Sequence, residues 1–354
     1  MQLSVFIITR GRVGIFRRCL RSVLEHLPKD SEVRVLINGT DSQTEKYLST
    51  ITDSRLIWRT IAKEPRTRCR NRAFDDCQGK IIYFLDDDVI VPPHALELAL
   101  RRFDENPSLG ILGGPNLTPT DSGFLESVFG AMMCSPLIAP RVYRRYSPRE
   151  RAFRMNANDS ELILCNLAMR RELVPDSIRF RSRLVSNEEN LFLHQCASHG
   201  MVIGWDPQIG VFHCRRNTVS GFVSQIHSYG VGRGQQTVIR PSSTHPLFFV
   251  PALSVVGFFV GLFFPSLLAM LLGWYGALMF CACLRCEEIR STGPLGVLTS
   301  FALTPLLHFM YGVGFWRGVG SEFLHRVRAT KVIPPEVPAS QGSNIAYVDP
   351  ARGS

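Results

Sequence analysis

Two long stretches of this 354-residue chain carry no formal charge. From Leu247 to Leu284 there is no Asp, Glu, Lys, Arg or His, and from Leu295 to Trp316 only the imidazole of His308 breaks the apolar character. Lysine is scarce, five residues among 40 Lys+Arg, so an arginine is unremarkable at any one position. Cysteine is dilute at ten, which excludes a disulfide scaffold, and 28 Gly with 22 Pro excludes a collagen-like chain. A hydrophobic content of 45% also excludes a disordered chain. The apolar run at residues 3–8 is too short for a secretory signal and is followed by Arg10 and Arg12. The first 245 residues are therefore expected in the cytoplasm with reduced thiols. Cys283 and Cys286 form a lone CxxC without a second ligand pair, which reads as packing rather than metal binding. No internal repeat is visible.

What is present is a soluble pattern followed by a membrane pattern. Residues 3–8, Val33–Ile37, Leu56–Trp58, Ile81–Leu85 and Gly110–Gly114 read as strands. Helices are predicted between them, on Phe16–Leu27, Arg66–Cys77 and His94–Phe103. This alternation implies an α/β domain with a mainly parallel, Rossmann-like sheet and flanking helices. Ligands of such sheets sit beyond the carboxyl ends of the strands. Thr9–Arg12, Asn38–Asp41 and Asp86–Asp88 are thus expected to meet. Residues 118–159 read as irregular. Between Arg141 and Arg183, eleven Arg against five Asp/Glu suggest either a solvated surface or a face for anionic headgroups or phosphorylated substrates.

Asp86, Asp87 and Asp88 follow a buried strand directly, and three adjacent carboxylates call for a cationic partner. A hard divalent ion takes one or two such carboxylates plus phosphate oxygens. On a strand end, Asp86 and Asp88 would share a side and Asp87 would point elsewhere. Arg70 and Asn71 precede that strand, and Arg offers a fork for phosphate or carboxylate. Glu188 and Glu189 are either helix-start charges or a general base. His213, before Cys214-Arg215-Arg216, is either structural or a ligand for a metal or a pyrophosphate. Tyr229–Gly234 is glycine-rich but follows no βα turn, so it reads as a flexible loop and not a dinucleotide fingerprint.

In order and spacing, these segments resemble family 2 glycosyltransferases of the GT-A fold. SVFIITRGR resembles the opening strand, with Thr9 and Arg12 in place, and Asn38-Gly39-Thr40-Asp41 resembles the nucleoside-holding turn. CRNRAFDDCQGKIIYFLDDD, Gly113–Pro115, Asn166–Arg171, Asn187–Glu189 and Val211–His213 resemble later family motifs. Cys69 and Ala73 depart from the family's usual Ala and Gly. The resemblance implies a metal-dependent inverting transfer from a nucleotide-sugar donor, UDP- or dTDP-linked. Mg²⁺ or Mn²⁺ would lie on Asp88, Asp86 and His213. Donor contacts would come from Thr9, Arg12, Asn38, Asp41, Arg70, Asn71, Asp86 and Asp87. Direct alignment makes Glu189 the base, and a one-residue slip makes it Glu188. The "QxxRW" motif of processive synthases is absent, which implies addition of one sugar. A lipid-linked or cell-envelope saccharide hydroxyl is the expected acceptor, with no nucleic acid as partner. A polyprenyl-phosphate transferase and a non-catalytic sugar-nucleotide-binding scaffold remain alternatives.

The expected division is 1–235 catalytic, 236–333 membrane region and 334–354 a disordered tail. Segments 247–265, 266–284 and 295–316 are expected to contact membrane lipids, since an apolar core of about 30 Å needs about 20 helical residues. The basic catalytic side is expected to face the cytoplasm in a multi-pass inner-membrane protein. A third full crossing would put Arg317, Arg326, Arg328 and Lys331 outside, against that rule, so segment 295–316 is expected either to be re-entrant or interfacial or to break it.

Overall fold

Val5, Ile7, Tyr83 and Leu85 pack on one side of the central sheet, and Phe6, Ile82 and Phe84 pack on the other. Burial on both faces is why these strands read as unbroken apolar runs. The computed structural model describes residues 1–147, 149, 152–181 and 184–331. Its elements run β1 (Leu3–Thr9), α1 (Val13–His26), β2 (Ser31–Asn38), α2 (Ser42–Leu48), β3 (Leu56–Ile61), α3 (Arg66–Asp76), β4 (Ile81–Asp86), β5 (Val89–Ile90), α4 (Ala95–Glu105), β6 (Leu109–Gly113) and β7 (Asn116–Leu117). They continue as α5 (Phe124–Met133), β8 (Asn166–Arg170), α6 (Glu188–Ser198), β9 (Val202–Trp205), β10 (Val211–His213), α7 (Val219–Ile239), α8 (Val250–Gly261), α9 (Pro265–Arg285), α10 (Glu287–Ser291) and α11 (Gly293–Lys331).

The main sheet has the order β3-β2-β1-β4-β8-β6-β9. It is parallel except for β8, which runs antiparallel to both neighbours. A second sheet, β5-β10-β7, sits at its carboxyl edge. There, β10 pairs antiparallel with β5 and sets His213 opposite Val89, one residue beyond the acidic triplet.

Three segments differ from the sequence reading. Residues 118–159 are not wholly irregular: α5 forms, and Phe129 stacks on Phe222 of α7 with ring centroids 4.1 Å apart. Within the Arg-rich stretch, three arginines are engaged inside the fold, while Arg149, Arg171 and Arg181 are exposed. Arg144 and Arg154 both pair with buried Glu161, and Arg145 is itself buried. The glycine-rich Tyr229–Gly234 is no loop but the middle of α7. Its glycines permit close approach to α11: a Cβ on Gly230 would lie 2.1 Å from the Tyr311 carbonyl oxygen, and one on Gly234 2.1 Å from that of Phe315. Gly314 and Gly318 reciprocate against the carbonyls of His227 and Val231. Small residues four apart on both helices let the backbones touch, a packing common in membrane proteins.

The tail region is also reorganised. Among the described residues, two helices, Pro265–Arg285 and Gly293–Val327, are long and apolar enough to cross a membrane. In the expected first segment, 247–265, a 3₁₀ turn at Pro246–Phe249 leads into the 12-residue α8, and together they fall short of a membrane-crossing helix. The segment 295–316 lies inside α11, which continues through Pro305. The division expected at residue 235 falls within α7, and 334–354 lies outside the described residues. All ten cysteines are free, and Cys283 and Cys286 are buried in packing. Replacing Gly234 with Val should destabilise the protein by about 1–3 kcal/mol through overpacking. Thermal unfolding of the detergent-solubilised chain checks this, with Gly320→Val, which meets open space, as the control.

Candidate active site

The carboxyl ends of β1, β2 and β4 converge as their parallel pairing requires. Thr9 Oγ1 donates to Asp87 Oδ2 at 2.8 Å, and the Gly11 amide donates to Asp41 Oδ2 at 2.6 Å. Arg12, capping α1, forks between Asp87 and Asp88, with Nη1 2.7 Å from Asp88 Oδ2. Asp87 is thus a buried internal partner. Burial pushes its carboxyl up to about 6, although Arg12 pulls the other way. Asp88 would also be raised by burial, but His213 and Arg12 outweigh that and hold it well below the usual carboxylate range.

Asp86, Asp88 and His213 face a common point, with one ligand atom of each within 4.8 Å of the others. His213 Nε2 lies 2.9 Å from Asp88 Oδ1, yet that buried oxygen accepts no aligned hydrogen bond. An under-satisfied carboxylate oxygen beside an imidazole nitrogen and a second carboxylate is a donor set that suits a divalent cation. The pairing of β10 with β5 creates this arrangement, and the Cys214 amide fastens it by donating to the Asp88 carbonyl at 3.0 Å.

The triplet opens onto a cavity of about 680 Å³ that Glu188 and Glu189 also line. Asn187 holds a left-handed conformation (φ 60°) at the start of α6, and its side chain donates to the Tyr229 carbonyl at 2.9 Å. The two glutamates have different partners. Glu188 is clamped by buried Arg70, which also lies 4.0 Å from Asp86. Burial lowers the Arg70 pKa from its usual value, partly offset by Asp86. Glu189 has Arg145 at 3.7 Å. Arg145 is fixed by the carbonyls of Ser160 and Asp159, at 2.7 and 3.1 Å, and by Asn190.

Of the residues singled out from sequence, Arg12, Arg70, Asp86, Asp87, Asp88, Glu188, Glu189 and His213 line this cavity. Thr9, Asn38, Asp41 and Asn71 do not line it. Asn38 exchanges hydrogen bonds with the backbone of Glu64, at 2.8 and 2.9 Å, and Asn71 does the same with Phe180, at 2.8 and 3.0 Å. Asp41 caps α2. Arg145, Tyr146 and Asn116 escaped notice because nothing local distinguishes them. Tyr229 was hidden in a stretch read as loop.

Residues 4–176 match the family model described as Glycosyl transferase family 2. That match spans just under half of the chain; the sheet with its flanking helices has the GT-A architecture, and among the described residues two apolar helices lie at its C-terminal side. The structure is similar to "Mannosyltransferase PcManGT from Pyrobaculum calidifontis in complex with GDP-Man and Mn2+". That likeness has a TM-score of 0.57 at 14% identity, covering 91% of this chain and 88% of the other. A likeness to S. aureus TarS 1-349 in complex with UDP-GlcNAc has a TM-score of 0.49 at 17% identity, covering 93% and 92%. A Mycobacterium tuberculosis (strain CDC 1551 / Oshkosh) protein, "Uncharacterized protein MT1568", is 30% identical over 122 residues. That match spans 34% of this chain and only 37% of the relative's length.

Arg70→Ala leaves the Glu188 carboxylate buried without its cation. It should cost about 3–5 kcal/mol by denaturant titration, and adding Glu188→Gln should recover much of that loss.

Proposed function

We propose that this chain is a membrane-anchored glycosyltransferase that moves one sugar, with inversion, from a nucleotide-sugar donor to a hydroxyl of a lipid-linked or cell-envelope saccharide. The observation that carries this reading is that one cavity is lined by both the Asp86/Asp88/His213 set and two carboxylates at a helix start. A Mg²⁺ or Mn²⁺ ion held by Asp86, Asp88 and His213 would supply positive charge for the departing nucleoside diphosphate. The Mn²⁺ and GDP-Man named for the Pyrobaculum mannosyltransferase support a nucleotide-sugar donor and a cation of this kind.

Each residue has a separate task in this reading. Arg12 and Thr9 hold Asp87 inside, so Asp86 and Asp88 remain turned to the cavity. Arg70 occupies Glu188, which leaves Glu189 as the base that takes the acceptor hydroxyl's proton. The bond from the anomeric carbon to the diphosphate breaks as the bond to the acceptor oxygen forms on the opposite face. Arg215, which lines the cavity, is anchored by Thr118 Oγ1 at 2.8 Å and the Asn116 carbonyl at 2.7 Å. It keeps that wall cationic for an anionic donor.

Glu189→Gln should lower turnover about 10²- to 10⁴-fold, the usual contribution of a general base, with donor binding retained. Asp88→Asn or a chelator should abolish diphosphate release in a panel of nucleotide sugars. Metal-independent turnover would overturn the cation's role. Full activity of Glu189→Gln would move the base to Glu188 or favour a phosphate acceptor.

A further inference from the structure

We infer that the chain holds the bilayer with a helical hairpin that enters one leaflet and does not cross, while α11 lies along the catalytic domain at the membrane surface. This rests on the membrane anchoring proposed above and replaces a multi-pass arrangement with a one-sided one.

Helix α11 is fastened to the catalytic domain along its length. Near its start, Gly296 lies beside Val128 of α5. At its middle, His308 Nε2 donates to the Ile138 carbonyl at 2.7 Å. Farther on, Gly314 and Gly318 meet α7, and Arg326 donates to the Val238 carbonyl. A helix tied at both ends to one globular face cannot pass through a bilayer, whatever its hydropathy. Helix α10, between α9 and α11, is also held on this side, through the ion pair of Glu288 with Arg149.

The hairpin is anchored on the outer side of α11. Val255 of α8 packs at Gly312, and Trp316 Nε1 donates to the Ala252 carbonyl at 2.8 Å. On the returning arm, Tyr275 Oη donates to His308 Nδ1 at 2.8 Å. Beyond Phe258, whose ring meets Phe309 of α11 with centroids 6.0 Å apart, residues 259–274 reach past these fastenings with no charged side chain. Phe263 is 82% exposed at the tip and Trp274 72% exposed on the returning arm. The ten residues Pro265–Trp274 extend about 15 Å at about 1.5 Å per residue. That is half of a hydrocarbon core of about 30 Å, too short to cross it and well matched to one leaflet. Exposed Trp316 and Arg317 at the α8 base, and Arg285 at the end of α9, supply the aromatic and cationic side chains that suit an interface. This arrangement also leaves Arg317 and Arg326 on the same side as the catalytic domain, which removes the charge conflict that a crossing α11 would create.

The test is cysteine labelling in the full-length protein carrying Cys281→Ser, in sealed membrane vesicles of both orientations, with an impermeant maleimide. Phe264→Cys should react from neither face until detergent is added. Ser291→Cys and Ser321→Cys should both react from the face that exposes the catalytic domain. Reaction of Phe264→Cys from the opposite face would overturn the one-leaflet hairpin and leave anchoring intact. Reaction of Ser321→Cys from the opposite face would show that α11 crosses. A protein that does not sediment with membranes, with Phe264→Cys reactive or shielded in a soluble oligomer, would refute the anchoring itself. Donor turnover on the same preparations reports on the transferase reading separately.

Discussion

Three carboxylates in succession repel one another, and the site is organised around making that tolerable. The apolar strand β4 delivers them to one point because its whole length is buried. Arg12 then neutralises Asp87 and Asp88, His213 faces Asp88, and Arg70 reaches from Asp86 to Glu188. Each of these partners comes from a different element, so the cluster ties the start of α1, α3, β10 and α6 to the end of one strand. A carboxylate oxygen without an aligned donor is what remains after these debts are met, and it lies where a divalent ion would complete the balance.

Much of this was legible in the sequence because it follows from local pattern. The first strands and helices alternate with clear apolar runs. Their parallel order required Thr9–Arg12, Asn38–Asp41 and Asp86–Asp88 to gather, and they do, through Asp87, Asp88 and Asp41. The helical start at Glu188 and the strand end at His213 were also visible. What a linear pattern cannot give is the partner of a side chain. Asn38 and Asn71 have the residue types of ligand-binding groups, yet their amides are engaged by backbone 26 and 109 residues away. Arg145 is one arginine in a run of many, and only the fold turns it inward toward Glu189.

The glycine-rich segment misled for a related reason. Glycine normally marks a turn, and three glycines within six residues weaken a helix in isolation. Their role emerges only when a second helix presents matching small residues, because the gain is contact between backbones. The long helix α11 posed the same difficulty in reverse. Its hydropathy describes what it could cross, whereas its fastening to α5 and α7 describes where it lies.

One face of α7 borders the reaction cavity through Phe222, Gln225 and Tyr229, while its glycines press on α11. Backbones in such contact have no side-chain cushion to absorb a displacement. In the proposed anchored arrangement, a push or tilt of the hairpin by lipid would pass through α11 to the wall of the cavity, and turnover would respond to the thickness and packing of the leaflet.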